Sequence, residues 1–357
     1  MGIEFEFFEA GCGDSILVST SEGTNILIDG GVAKTYKKKI SSSLDKLYSS
    51  LDLVVVTHID TDHICGIIEL LNDTSRRDMI DELWFNTASE TMTVINNSGN
   101  EVAGGHGNFL FRFMKDNKTP HKNNIYVKEN LNDNIFYFGK DKDIKLTLLS
   151  PTKDSLKELR DNWNEDDVLK KCQGGDATVG GSTPLEDRRY IDDLYKLYKD
   201  KKIKFGGKDT FRNNSSIAFI LTYEDKNFLF LGDANIDIIN SSLKTLGYSE
   251  KEENRLKVEF IKLSHHGSKK NINNEFLNLV KTDTFVVFTN GLHGSKYRHP
   301  DKESLMLILK HEKRAEYIKF LFNCSMPIDK KFPFDMNDES IFNFRADKQN
   351  YWSPQND

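Results

Sequence analysis

The chain has 357 residues, 38% hydrophobic and 29% charged with only 7 prolines, so it can bury a sizeable core and is neither a disordered nor a collagen-like polymer. Its 55 acidic against 49 basic residues give a formal net charge of −6, which excludes a uniformly basic nucleic-acid binder but leaves room for a local basic groove. Four widely spaced cysteines with no Cys-x-x-Cys pair exclude a cysteine-rich zinc module and suit a reducing cytoplasm; the acidic, aromatic first ten residues do not read as a secretory signal, and no apolar run is long enough to span a bilayer.

The first sixty residues predict short strands joined by tight turns. Residues 3–8 alternate and are rich in Phe, Gly11, Gly13 and Asp14 form a turn, and residues 15–19 and 25–28 are further strands, the last ending at Asp29-Gly30-Gly31. A helix is expected over 36–48. Residues 51–57 form a continuous apolar run, which suits a strand covered on both faces. Residues 64–71 predict a helix and 82–86 a strand. Residues 87–143 are poorer in periodicity and read as an insertion with a helix near 109–114, and residues 152–210 hold helices over 154–171 and 186–199 around a flexible linker at 174–183. A basic turn at 201–208 follows.

The second half is more regular. Strands are expected at 144–149, 216–223, 227–231, 258–263, 285–289 and 317–322, and helices at 236–246, 273–279 and 302–311. The tail from residue 325 shows no clear period. Alternating strands and helices in both halves predict an α/β fold.

His58, Asp60, Asp62 and His63 stand together at the end of the apolar run 51–57. Two imidazoles and two carboxylates on one strand-end loop suit a divalent ion, and a pair of such ions activates water. Read alone, the same residues also suit a polar turn that caps the next helix. Three further strand ends supply Asp29, Asp233 after Leu231-Gly232, and His265-His266-Gly267-Ser268.

The order strand-Asp-Gly-Gly, His-x-Asp-x-Asp-His, Leu-Gly-Asp and His-His-Gly-Ser resembles the metallo-β-lactamase fold superfamily. The Gly11-Cys12-Gly13-Asp14-Ser15 turn, Asn213-Asn214-Ser215-Ser216 and the late His299-Pro300 resemble its branch typified by the hydrolase domain of the competence protein ComEC. The resemblance implies one domain over 1–323, an αββα four-layer sandwich with insertions at 87–143 and 152–210 and a metal centre at the strand ends, followed by a C-terminal extension over 324–357. It assigns His58 and Asp60 to a first ion, Asp62, His63 and His265 to a second, Asp233 as the bridge and Asp29 as a support. Asp60 stands where the superfamily commonly has a second histidine, which shifts preference toward Mn²⁺, with Zn²⁺ still suitable. The superfamily's further histidine is missing: Asn213-Asn214-Ser215-Ser216 occupies its place, with Asn214 or water expected to complete the shell and His106 or His121 as substitutes.

The activity this implies is metal-dependent hydrolysis, foremost of nucleic-acid phosphodiesters, DNA ahead of RNA. Asp62 and His299 are the expected catalytic groups, and Asn213, Asn214, Ser216, His266, Ser268, Lys269 and Arg298 the expected supporting or substrate contacts, with His293 a weaker one. Lysines 37–39, 201–208 and 269–270 are compatible with a phosphate backbone. A hydrolase of a small cyclic nucleotide or lactone, and a scaffold that meets a protein partner through its insertions, are the alternatives.

Overall fold

The computed structural model describes residues 2–87, 119–162, 189–291, 299–325, 334 and 338–354. Among these residues two sheets face each other. The first runs in the order β17-β1-β2-β3-β4-β5-β6, where β1 is Ile3–Phe7, β2 Ile16–Thr20, β3 Asn25–Ile28, β4 Leu53–Val55, β5 Leu83–Trp84, β6 His121–Lys122 and β17 Tyr351–Trp352. The second runs β16-β15-β14-β12-β10-β9-β8-β7, from β7 Ile135–Phe138, β8 Ile144–Ser150, β9 Ala218–Tyr223, β10 Lys226–Phe230, β12 Phe260–Lys262, β14 Thr284–Val287 and β15 Ile318–Phe322 to β16 Phe344–Lys348. Two short strands, β11 Leu256–Lys257 and β13 Val280–Lys281, pair beside it.

The central strands are largely apolar on both faces because they are covered on both, β4 being Leu-Val-Val throughout. In β10, Phe228 and Phe230 point between the sheets while Leu229 and the following Leu231 point outward. In β3, Ile26 and Ile28 point in and Leu27 out. Helix Thr61–Asn72 and the helical run Ala33–Leu44 cover the outer face of the first sheet. Helices Ile191–Lys199, Ile236–Thr245, Asn274–Leu279 and Lys302–Leu309 cover that of the second. The result is an αββα sandwich with an aromatic middle layer in which Phe5, Phe228, Phe260 and Trp352 pack ring against ring.

Several local expectations change. The helix expected at 36–48 begins at Ala33, widens into a π-helical turn over Tyr36–Ile40 and stops at Leu44. The strand expected at 82–86 shortens to Leu83–Trp84. The tail, which lacks a period, nevertheless forms helix Asp338–Phe342, β16 and β17. The helix expected at 109–114, the linker at 174–183, and His106, His293 and Arg298 lie outside the described residues.

Candidate metal centre

The centre lies where β3, β4, β10, β12 and β14 end. Asp29 has a positive φ of 56° and turns its carboxylate back onto the next strand. There it accepts the Thr57 amide at 2.8 Å, the Thr57 hydroxyl at 2.7 Å and His63 Nδ1 at 2.8 Å. A histidine held through Nδ1 by a carboxylate presents Nε2 to an ion. Asp60 occupies the N-cap position of helix Thr61–Asn72 but makes no capping bond. Its Oδ2 lies 3.6 Å from His58 Nε2, and its Oδ1 lies 3.0 Å from Arg212 Nε. Asp233 does not cap the next helix either, since Asn235 does so. Its amide donates to Ser216 Oγ at 3.0 Å, which fixes the turn.

Asp233 is the hub. Its carboxylate lies 3.7 Å from His58 Nε2, 3.6 Å from His63 Nε2, 3.9 Å from His265 Nε2 and 3.9 Å from His266 Nε2. Two ligands of one tetrahedral ion, each about 2.1 Å from it, stand about 3.4 Å apart, so these spacings fit ions with little adjustment. Nε2 of His58, Nε2 of His63 and Oδ1 of Asp233 are buried with no hydrogen-bond partner, the state expected of groups arranged around a cation. His58, His63 and Asp233 form one buried group of possible ligands; Asp14, His63 and His266 form another.

The histidine pair departs from expectation. His265 and His266 both take left-handed backbone angles, φ 47° and 54°, rare for non-glycine residues. This splays the adjacent rings, at 77° to each other, toward different parts of the centre. His266, not His265, meets Asp62, with Nε2 at 3.4 Å from Oδ2, while its Nδ1 donates to the Phe288 carbonyl at 3.0 Å. His265 leans to the other side, where Asn213 Nδ2 lies 3.1 Å and Asp209 Oδ2 3.7 Å from its Nδ1. Asn214, expected to complete the shell, donates its side-chain amide to Glu158 at 3.2 Å and accepts from that of Asn235 at 3.2 Å. His121 lies exposed on edge strand β6, in neither ligand group.

Other expected contacts fall around the rim. His299 is buried with its ring 5.0 Å from that of His265. Ser268 caps the short turn Lys269–Asn271. Lys269 reaches Glu303 at 2.9 Å, which Arg189 also engages at 3.0 Å. Four residues with no role in the sequence reading take part. Asp14 forms a buried ion pair with Lys262, whose ammonium also donates to the Gly232 carbonyl at 3.1 Å. Asp209 ties His265 to Asn213 and Asn271. Arg212 holds Asp60. The sequence signals are slight: Asp14 stands fourth in the Gly-x-Gly-Asp-Ser turn, and Lys262 is a lone cation in an apolar strand.

The charges are mutually reinforcing. Burial disfavours the Asp233 carboxylate, but His63, His265, His266 and His58 outweigh it and hold the group well below its ordinary range. Burial likewise opposes charge on His63, which Asp233, Asp29 and Asp14 raise well above its usual value. Asp60 is lowered against its burial by His58 and Arg212.

Fold and site together define a metallo-β-lactamase-fold, metal-dependent hydrolase. The family model for the metallo-beta-lactamase superfamily matches residues 11–84, which carry the Gly-rich turn, Asp29 and the His58–His63 cluster. No curated protein sequence matches the chain. Among solved structures, similarity extends to the metallo-beta-lactamase fold protein YhfI from Bacillus subtilis, at 11% identity over 99% of both chains with a TM-score of 0.40. It extends also to Zn(2+)-bound PqqB from Methylobacterium extorquens, at 11% identity over 96% of this chain and 87% of that one with a TM-score of 0.41. A diphosphatase from the PhnP family is similar at 9% identity over 99% of this chain and 98% of that one, with a TM-score of 0.40. Among the described residues, no helix is long and apolar enough to cross a membrane.

Proposed function

We propose that the chain hydrolyses phosphodiester bonds of nucleic acid, DNA ahead of RNA, in the cytoplasm with two divalent ions, Mn²⁺ or Zn²⁺. His58, Asp60, Asp233 and His265 would hold the first ion, and Asp62, His63, Asp233 and His266 the second. Bound there, such ions supply Lewis acidity and lower the pKa of water. Asp62 orients the attacking water, and His299, beside His265, protonates the leaving oxygen.

The observation that favours a polyanionic substrate is the rim. The amide of Gly206, in the basic turn 201–208, donates to the Lys269 carbonyl at 3.1 Å. Lys204 and Lys208 are thereby exposed on a segment docked beside the histidine pair. Arg212 adds a partly exposed guanidinium next to Asp60. Such a row of cations suits a phosphate backbone, which is bound in a salt-dependent way.

The test is cleavage of single-stranded DNA, duplex DNA and RNA by the wild type with Mn²⁺ or Zn²⁺, beside Asp233→Asn and His265→Ala. Metal-dependent cleavage is expected, falling by roughly 100-fold in each variant with a parallel loss of bound metal. A metal-loaded wild type that leaves all three polymers intact while opening a lactone or a cyclic nucleotide would move the assignment to small substrates. Unchanged metal content in Asp233→Asn would remove that residue as the bridge.

A further inference from the structure

A second charged feature lies at the opposite end of the second sheet. Strands β12, β14 and β15 run parallel, and the metal centre stands at the C-terminal ends of β12 and β14. At their N-terminal ends, beside the β11–β13 pair, is a hollow of about 790 Å³. Strands of three to five residues at about 3.3 Å per residue put the two sites on the order of 15 Å apart.

Six cations line this hollow: Arg255, Lys257, Lys281, Lys313, Arg314 and Lys319. Three carboxylates oppose them, Glu252, Glu259 and Asp283. The local balance is therefore positive by three, in a chain whose net charge is −6. Glu252 is already engaged by Arg255 at 2.9 Å and by Lys281, and Asp283 accepts the Thr284 hydroxyl at 2.6 Å. Arg255 is nine-tenths buried and fixed by the carbonyls of Leu277, Val280 and Lys313. Its Nε, and the buried Nη1 of Arg314, have no hydrogen-bond acceptor among the described residues. A guanidinium nitrogen out of water and without an acceptor is an uncommon arrangement that an anionic ligand would complete. Neighbouring His311 registers the same field: burial, Arg255 and Lys313 push it down to about 4. The remaining wall is apolar, formed by Val258, Ala315, Trp352 and Pro354.

A volume of this size matches a small-molecule site rather than a groove for a folded partner. Cations on one part of the lining and apolar side chains on another suit a ligand that joins phosphates to a ring. We infer that this hollow binds a phosphate-bearing ligand of nucleotide size, at a site separate from the metal centre. The ligand is either a free nucleotide or the phosphorylated end of a nucleic-acid chain, and both present the same chemistry to Arg314 and Lys257.

The test is calorimetric titration of the full chain in EDTA, so that no metal recruits phosphate to the first centre. The probes are ATP, pyrophosphate, adenosine and a 5′-phosphorylated decanucleotide. One saturable site is expected for ATP, weakened by added salt and absent for adenosine. Arg314→Ala and Lys257→Ala should each weaken it by roughly tenfold, reflecting loss of a charge-assisted contact, while His265→Ala leaves it unchanged. ATP binding tighter than that of the oligonucleotide assigns a free nucleotide, and the reverse assigns a chain end. Absence of saturable binding by every phosphorylated probe overturns the inference. So does binding lost in His265→Ala but kept in both Arg314→Ala and Lys257→Ala. Far-ultraviolet circular dichroism of each variant separates a lost contact from a lost fold.

Discussion

At the scale of single residues, His266 has the most measurable consequence. Burial disfavours its charged form, yet Asp233, Asp14 and Asp62 outweigh burial and raise it from 6.5 to about 9. A raised histidine contributes stability that is fully present below its unfolded value and is lost as pH rises through the folded one. In the ion-free chain this contribution is therefore complete below about pH 6.5 and gone above about 9. Asp233 has the opposite sign: its lowered carboxyl contributes stability above the ordinary value of 3.8, lost as pH falls through its folded value. A ligating imidazole must be neutral, so metal uptake near neutral pH has to expel the His266 proton. Titrating Mn²⁺ into weakly buffered protein at pH 7 should release about one proton more per chain in the wild type than in His266→Ala. The apparent affinity should also rise with pH toward about 9 as the His266 proton is lost. Equal proton release by the two proteins would take His266 out of the ligand set.

At the scale of elements, the Gly-rich turns explain how the ligand cluster is aimed. A Cβ at Gly13 would lie 1.7 Å from the Asp62 carbonyl oxygen, and one at Gly30 would lie 2.4 Å from the Ile67 amide nitrogen. Helix Thr61–Asn72 thus rests directly on two backbone turns, and that contact sets where Asp62 and His63 project. Gly13→Ala should cost about 2–3 kcal/mol, because rigid backbone rather than a side-chain tip must move. It should also reduce metal content, read by urea denaturation and elemental analysis together. An unchanged midpoint with full metal content would show that the turn does not brace the helix. The same contacts mark what was legible in the sequence. His58, Asp60, Asp62 and His63 fall in one short segment after an apolar strand, so local pattern suffices to find them. Asp209, Arg212 and Lys262 adjoin the Asn213–Ser216 and His265–Ser268 motifs in sequence, but only the fold turns their side chains onto the centre. The order of His265 and His266 was illegible for another reason: two consecutive left-handed residues reverse the facing that an extended strand end would give. Sheet membership of the central strands was read well because burial on both faces leaves a continuous apolar run. The tail was not, because β16 pairs with a strand 26 residues away and β17 with one about 345 residues away.

At the scale of the whole molecule, that tail joins the two sheets. β16 extends the second sheet beside β15, and β17 extends the first beside β1. Between them Asn350 donates to the Phe7 carbonyl of the first sheet and the Asn323 carbonyl of the second, each at 3.0 Å. Asn323 in turn donates to the Phe8 carbonyl at 2.8 Å, at the start of the turn that carries Gly13 and Asp14. Trp352 fills the space between the layers, with ring centroids 5.7 Å from Phe5, 5.4 Å from Phe228 and 5.2 Å from Phe260. Trp352→Ala removes a buried ring from a core that cannot collapse around the gap, because both sheets are fixed by their ladders. The expected cost is about 3–5 kcal/mol in urea unfolding of the ion-free protein. Ions that bind only the folded state stabilise it by an amount set by their concentration and affinity. If Trp352 acts through layer packing alone, adding Mn²⁺ should therefore raise wild type and variant by the same increment, with equal metal content at saturation. A smaller increment in the variant would mean that the tail also shapes the centre, transmitted through Asn350, Asn323 and the Phe8 turn. The pair of measurements thus separates a role in holding the layers together from a role in placing Asp14 beside His266.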